Sequence, residues 1–132
     1  RLRGCIGSLQ ARQSLGEDVI ENACNAAFSD PRFPALKEEE LENTQISISV
    51  LTRPHPLEVK SEQELLENLV PGRDGLILRS GRRQATFLPA VWESLTSPIE
   101  FVQDLKLKAG MAADEWPVDM EVETYYSIEF SE

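Results

Sequence analysis

The chain has 132 residues, of which 41% are hydrophobic and 27% charged. This composition is typical of a globular protein and is too apolar for a disordered chain. The length fits one domain. No apolar stretch approaches the roughly 20 residues of a membrane span. A net charge of −10 argues against a nucleic-acid-binding protein.

The negative charge is concentrated in the C-terminal third. Residues 84–132 contain 10 acidic and 2 basic side chains, whereas residues 1–83 contain 13 acidic and 11 basic ones. We therefore expect any site for a small anionic ligand to lie in the first two-thirds of the chain. Two cysteines are too few for a disulfide scaffold, so we expect free thiols and a cytoplasmic location.

Three helices are predicted from S-x-x-E capping boxes that begin at Ser14, Ser61 and Ser97. They extend over residues 15–28, 62–69 and 98–109. The apolar residues of the first helix recur at helical spacing, so we expect them to form one stripe that faces the core. They are Val19, Ile20, Ala23, Cys24 and Ala27.

Strands are predicted between the helices by alternating apolar and polar residues. They cover residues 45–51, 76–79 and 84–88, with a hairpin turn over 80–83. The pattern over residues 118–130 predicts one long strand whose acidic face is exposed to water. This order, with a hairpin and no regular βαβ unit, predicts an α+β fold with antiparallel sheets and about three main helices.

Cys5 is the first residue with potential for chemistry. It lies between Gly4 and Gly7, with Arg1 and Arg3 close by in sequence. Glycines permit a close backbone approach, and guanidinium groups increase the thiolate fraction of a cysteine. Cys5 is therefore a candidate nucleophile or the thiol of a binding loop. The alternative is a small buried side chain in a strand, which is the usual place of a free cysteine.

For the other candidate residues the structural interpretation is the favoured one. His55, the only histidine, would form a Cys–His couple if it met Cys5, and otherwise it is an exposed loop residue between two prolines. Asp30 and Arg32 follow the first helix and would either hold a ligand anion or close a turn. Cys24 lies on the apolar stripe, which predicts a core position.

Several kinds of site are absent from the sequence. It contains no P-loop, no G-x-G-x-x-G, no C-x-x-C, no H-E-x-x-H and no EF-hand loop. One histidine and two separated cysteines cannot supply an ordinary zinc site, so we predict no metal site and name no cofactor.

A set of spaced motifs resembles the AMMECR-domain family, whose prokaryotic branch is called AmmeMemoRadiSam system protein A. The motifs are LRGCIG over residues 2–7, AAFSDPRF over 26–33, SVLT over 49–52, GRDGLIL over 72–78, FLP over 87–89 and KAG over 108–110. The resemblance covers nearly the whole chain. It implies an α+β fold with two sub-domains around antiparallel sheets. In the family a helix and a strand precede the LRGCIG motif, so the resemblance implies that residues 1–132 are a single domain that lacks these N-terminal elements.

The same resemblance implies little about function, because the family is chiefly uncharacterised. Its prokaryotic members are named for their co-occurrence with a Memo-like protein and a radical SAM protein, which suggests a shared modification pathway. The LRGCIG motif is the part of the family pattern proposed to be functional. Carried over to this chain, it makes Cys5 the candidate catalytic residue. The candidate ligand-binding residues beside it are Arg3, Gly4, Gly7, Asp30 and Arg32.

Two hypotheses follow. In the first, the chain is an enzyme or enzyme subunit in a radical-SAM-linked or Memo-linked pathway, with Cys5 as nucleophile and Arg3 and Arg32 holding an anionic substrate. In the second, it is a non-catalytic binding or adaptor module that docks on a Memo-like or radical SAM partner. Nucleic acid and membranes are not expected as partners.

Overall fold

The helices begin where the sequence predicts, because each is started by a local serine cap. In the computed structural model, which describes residues 1–132, α1 is Leu15–Phe28, α2 is Glu62–Asn68 and α3 is Pro98–Lys108. The hydroxyls of Ser14, Ser61 and Ser97 each accept a hydrogen bond from the backbone N–H three residues on. This contact satisfies an otherwise unpaired donor of the first helical turn.

The strands form two sheets rather than one. β1 (Ser47–Leu51) pairs with β6 (Ser127–Ser131), and a four-stranded sheet has the order β2-β5-β3-β4. In the latter, β2 is His55–Pro56, β3 is Gly75–Ser80, β4 is Arg83–Phe87 and β5 is Glu121–Tyr125, with all neighbours antiparallel. The mixed helical and antiparallel architecture confirms the predicted α+β class.

The single long strand predicted over residues 118–130 is wrong. β5 begins only at Glu121, and the chain changes partners at Tyr126, so that β5 and β6 belong to different sheets. Burial does not follow the predicted faces either, since Tyr125 is buried whereas Val118 and Tyr126 are exposed. Sequence alternation reports which side chains share a face and contains no information about which strand lies alongside. Two short 3₁₀ helices, Glu38–Asn43 and Pro89–Glu93, were also not predicted.

The chain divides into two compact units. The first consists of residues 1–49 and 129–132, and the second of residues 50–128. The second unit contains a well-packed apolar core between its sheet and helices α2 and α3. At its centre the rings of Trp92 and Phe101 stack at 3.8 Å between centroids, and the indole N–H donates to the Asp74 carbonyl at 2.7 Å. No helix is long and apolar enough to cross a membrane.

The first unit is organised differently, because its helix turns its polar side inward. No residue of α1 is buried, and the predicted core stripe lies largely on the surface, with 66% of Ile20 exposed. Cys24 is exposed as well, so its predicted core position is wrong. The opposite side of α1 contacts the N-terminal loop: Ser8 bonds Asp18 and Asn22 there. The N-terminal loop therefore packs on the polar side of α1 and not on its apolar stripe.

Candidate functional site

The candidate site is the N-terminal loop of the first unit, residues 2–8, which contains the LRGCIG sequence. The loop has no regular secondary structure, so Cys5 does not lie in a strand. Gly4 packs tightly against α1, because a Cβ built there would overlap with the carbonyl oxygen of Ala26. Gly7 has open space around the same position. The first glycine is therefore required for packing, whereas the second has no such constraint.

The backbone of Cys5 is held on both sides by the residues that follow α1. Its N–H donates to Asp30 Oδ2 at 2.9 Å, and its carbonyl oxygen accepts from Arg32 Nη2 at 3.2 Å. Asp30 and Arg32 also bond each other, through Nε at 3.0 Å and Nη2 at 2.7 Å. The three residues thus form a closed set of hydrogen bonds that fixes the loop at Cys5.

Asp30 is the anchor of this set. It is the only buried residue of the first unit, with 1% of its side chain exposed. Hydrogen bonds from the Arg32 side chain, and then from the backbone N–H groups of Cys5 and Arg32, hold the pKa of its carboxyl well below the usual range. A charge in this position is stable because all of these bonds are made to its ionised form.

Arg3 is fixed by a separate carboxylate. Its Nε and Nη2 donate to the two oxygens of Glu40 at 2.9 and 3.1 Å, a bidentate pair. The pKa of Glu40 falls to about 2, first because of the Arg3 hydrogen bond and then because of the backbone N–H of Lys37. The guanidinium groups of Arg3 and Arg32 both lie near the Phe33 ring, 6.0 and 5.4 Å from its centroid.

This geometry brings together most of the residues that the sequence singled out. Hydrogen bonds join Cys5, Asp30 and Arg32. The guanidinium groups of Arg3 and Arg32 both lie near the ring of Phe33. Sequence reasoning missed Glu40, because nothing in its acidic run distinguishes it from its neighbours. Ser8, Asp18 and Asn22 were also missed, because the packing of the N-terminal loop on α1 brings them together and no sequence motif marks it.

The chemistry open to this loop is that of an exposed thiol on a fixed backbone. Cys5 is exposed, which excludes the alternative of a buried small side chain. Arg3 and Arg32 each donate two hydrogen bonds to a carboxylate of the protein. Fewer of their N–H groups therefore remain for binding an external anion. His55 lies in β2 of the second unit, opposite Thr124, whereas Cys5 belongs to the first unit. No group of three or more His, Cys, Asp or Glu side chains is arranged to hold a metal ion.

The LRGCIG sequence and the fold that contains it both have counterparts among known proteins. The family model AMMECR1 matches residues 1–130. The chain belongs to the AMMECR1 family. Protein MK0488 of Methanopyrus kandleri is 43% identical over 117 residues, which cover 87% of this chain and 56% of that protein. Protein Mbar_A1807 of Methanosarcina barkeri is 36% identical over 132 residues, which cover 99% of this chain and 65% of that protein.

A solved structure supports the same assignment. The chain resembles the crystal structure of the uncharacterized protein PH0010 from Pyrococcus horikoshii, with a TM-score of 0.77 and 36% identity. The match covers 98% of this chain and 64% of that one. This AMMECR1-family chain therefore spans between about half and two-thirds of the length of these relatives. The comparisons confirm the predicted family and α+β fold, and the relatives are themselves uncharacterised.

Proposed function

We propose that this AMMECR1-family chain is a protein-binding module whose docking surface is the Cys5 loop. The observation that carries the proposal is the contrast between the loop's backbone and its side chains. Asp30 and Arg32 hold the Cys5 peptide on both sides, while Leu2, Cys5 and Ile6 remain exposed, Leu2 by 54%. A loop already fixed in one conformation loses little entropy when a partner binds it.

The partner class comes from the family resemblance, which suggests a Memo-like or a radical SAM protein. The apolar side chains Leu2 and Ile6 would supply the central contact, because exposed apolar residues on a rigid element are typical of binding surfaces. Asp30, Arg32 and Arg3 would act as positioning residues, and Gly4 would permit the close packing of the loop on α1.

The test is a binding measurement with purified proteins. A Memo-like protein and a radical SAM protein encoded in the same genome would each be titrated against this chain by calorimetry. We expect one of them to bind, and Ile6→Asp to weaken that binding by tenfold or more. Leu107→Asp is the control, because Leu107 is an exposed apolar residue on α3 of the second unit, 55% exposed against 37% for Ile6. Absence of binding to both proteins, or equal loss in the control, would contradict the proposal.

A second candidate function is favoured by the exposed Cys5 thiol beside Arg32. In this alternative the chain is an enzyme subunit, and the Cys5 thiolate is a nucleophile or transient carrier in the pathway of its partners. The Arg32 guanidinium would stabilise the thiolate. The pKa of Arg32 is raised, mainly by its hydrogen bonds to Asp30 and by the charge of that carboxylate.

Cys24 provides an internal control for the second candidate, since it is also exposed but has no arginine on its helix. Alkylation rates with iodoacetamide would be measured between pH 6 and 9 in Cys24→Ser, which leaves Cys5, and in Cys5→Ser, which leaves Cys24. An enzyme role predicts that Cys5 reacts several times faster than Cys24 at pH 7. Equal rates would remove the nucleophile role and leave the docking proposal untouched.

A further inference from the structure

The turn before β3 holds an arginine in a fixed position on the surface of the second unit. The backbone N–H groups of Arg73 and Asp74 both donate to the Val70 carbonyl, at 3.2 and 3.1 Å. Gly72 within this turn has a φ of +83°, a conformation that glycine adopts without strain. The backbone of Arg73 is thus set by a tight turn.

Asp74 then orients the Arg73 side chain. Asp74 is buried, and its Oδ2 accepts from the backbone N–H of Val70 at 2.8 Å. Its Oδ1 accepts from Arg73 Nε at 2.8 Å. Only Nε of the guanidinium makes a hydrogen bond within the protein, so its two terminal nitrogens have no protein partner. They are accessible to a ligand, because 59% of the side chain is exposed.

An aromatic ring supports the guanidinium from another direction. The Arg73 guanidinium carbon lies 5.8 Å from the centroid of the Tyr126 ring, within the range of a cation–π contact. Tyr126 is itself held by Thr52, whose hydroxyl oxygen accepts from the Tyr126 N–H at 2.9 Å and whose N–H donates to the Tyr126 carbonyl at 2.8 Å. Each of these contacts reduces the freedom that Arg73 would lose on binding a ligand.

No other arginine combines orientation with free terminal nitrogens on both branches. The terminal nitrogens of Arg3, Arg32, Arg79 and Arg83 bond carboxylates. The remaining four have no hydrogen bond or ion pair that fixes their side chains; they are Arg1, Arg12, Arg53 and Arg82.

We infer that Arg73, held by Asp74 and Tyr126, is a binding site for a single oxyanion group, a carboxylate or a phosphate. The end of the guanidinium that carries both terminal nitrogens matches two oxygens of such a group bidentately. The second unit has 13 acidic and 8 basic residues, which opposes binding of a polyanion. The Asp74 carboxylate neutralises much of the charge of the Arg73 guanidinium. Recognition of the anion therefore depends on the geometry of its hydrogen bonds, and the affinity for a lone ion is expected to be millimolar.

The experiment follows the arginine side-chain N–H signals of the intact chain by NMR. Sodium phosphate and sodium acetate are titrated separately at constant ionic strength, with sodium chloride as the reference anion. We expect a saturable shift of the Arg73 Nε–H signal, with Arg82 showing only the linear drift of an exposed, unfixed side chain. A response to phosphate alone identifies a phosphate ligand, a response to acetate alone a carboxylate ligand, and a response to both a general oxyanion site.

Two substitutions separate recognition from nonspecific attraction. Arg73→Lys keeps the charge but loses the planar fork, so binding of the responding anion, followed in both chains by the backbone amide signals of residues 72–75, should weaken about tenfold. Arg82→Lys should leave it unchanged. The inference is overturned if the Arg73 signal moves no more than that of Arg82, if chloride produces the same shift, or if Arg73→Lys binds as well as the native chain. These outcomes do not depend on whether the Cys5 loop binds a partner.

Discussion

The carboxylate of Asp30 accepts the backbone N–H of Cys5 at 2.9 Å, and this contact joins two motifs that lie 25 positions apart in sequence. Arg32 closes the arrangement by bonding Asp30 and the Cys5 carbonyl together. The LRGCIG and DPR sequences therefore act as one structural element. Substitutions in this element, and in the apolar core inside the second unit, have the following expected effects.

Asp30→Asn should release the Cys5 loop without changing the size of the side chain. The amide nitrogen cannot accept a hydrogen bond, so one of the two oxygens that serve Cys5 and Arg32 is lost. We expect exchange of the Cys5 backbone amide with deuterium to become at least about tenfold faster. Amides of β3 in the second unit are the control. Unchanged protection at Cys5 would mean that Asp30 does not anchor the loop.

The stability of the first unit should decrease in acid because of Asp30 and Glu40. Both carboxyls have a lower pKa in the folded chain than in the unfolded one, and that of Glu40 is about 2 instead of 4.5. Their stabilisation is therefore complete above pH 4.5 and is lost as the pH falls towards 2. Thermal unfolding followed by NMR at several pH values measures this loss.

Glu40→Gln isolates one of these two contributions. Because glutamine does not ionise, the variant should have a weaker pH dependence between pH 5 and 2 than the native chain. Asp30 remains titratable in this variant, so part of the acid sensitivity should persist. Identical pH profiles for native chain and variant would show that the Arg3–Glu40 pair contributes nothing measurable.

The two glycines that flank Cys5 should respond differently to the same substitution. Gly4→Ala places a methyl group against the Ala26 carbonyl, a backbone atom that cannot move aside, and should destabilise the unit by roughly 2 kcal/mol or more. Gly7→Ala meets open space and should change the free energy of unfolding by less than about 0.5 kcal/mol. Urea unfolding of the two variants gives the comparison, and equal effects would contradict the close contact.

Truncation of apolar side chains on α1 and α3 should distinguish the two units. Leu105 on α3 has no exposed surface, and Leu105→Ala should cost about 2–5 kcal/mol of unfolding free energy. Ile20→Ala on α1 removes a side chain that is already 66% exposed and should cost less than about 1 kcal/mol. Differential scanning calorimetry measures both. A large loss for Ile20→Ala would show that the α1 stripe packs against something in solution.

Local signals in the sequence were sufficient for the helices. A serine cap and a glutamate three residues on act within one turn, so α1, α2 and α3 begin at the predicted residues. The β3–β4 hairpin was predicted for the same reason, because Gly81 has the positive φ that its turn needs. The family was also recognisable from the sequence, since its motifs are spread over nearly the whole chain.

Only the tertiary structure decided the partners of these elements. Periodicity placed Ile20 and Cys24 on one stripe correctly, but the N-terminal loop packs on another side of α1, at Ala26, and the stripe lies exposed. The alternating sequence predicted one strand through Tyr126, yet the chain changes sheets there. Likewise, the sequence identified Cys5, Asp30 and Arg32 one at a time, and their hydrogen bonds joined them. A local pattern determines the shape and faces of an element, whereas contacts between distant residues depend on how the whole chain packs.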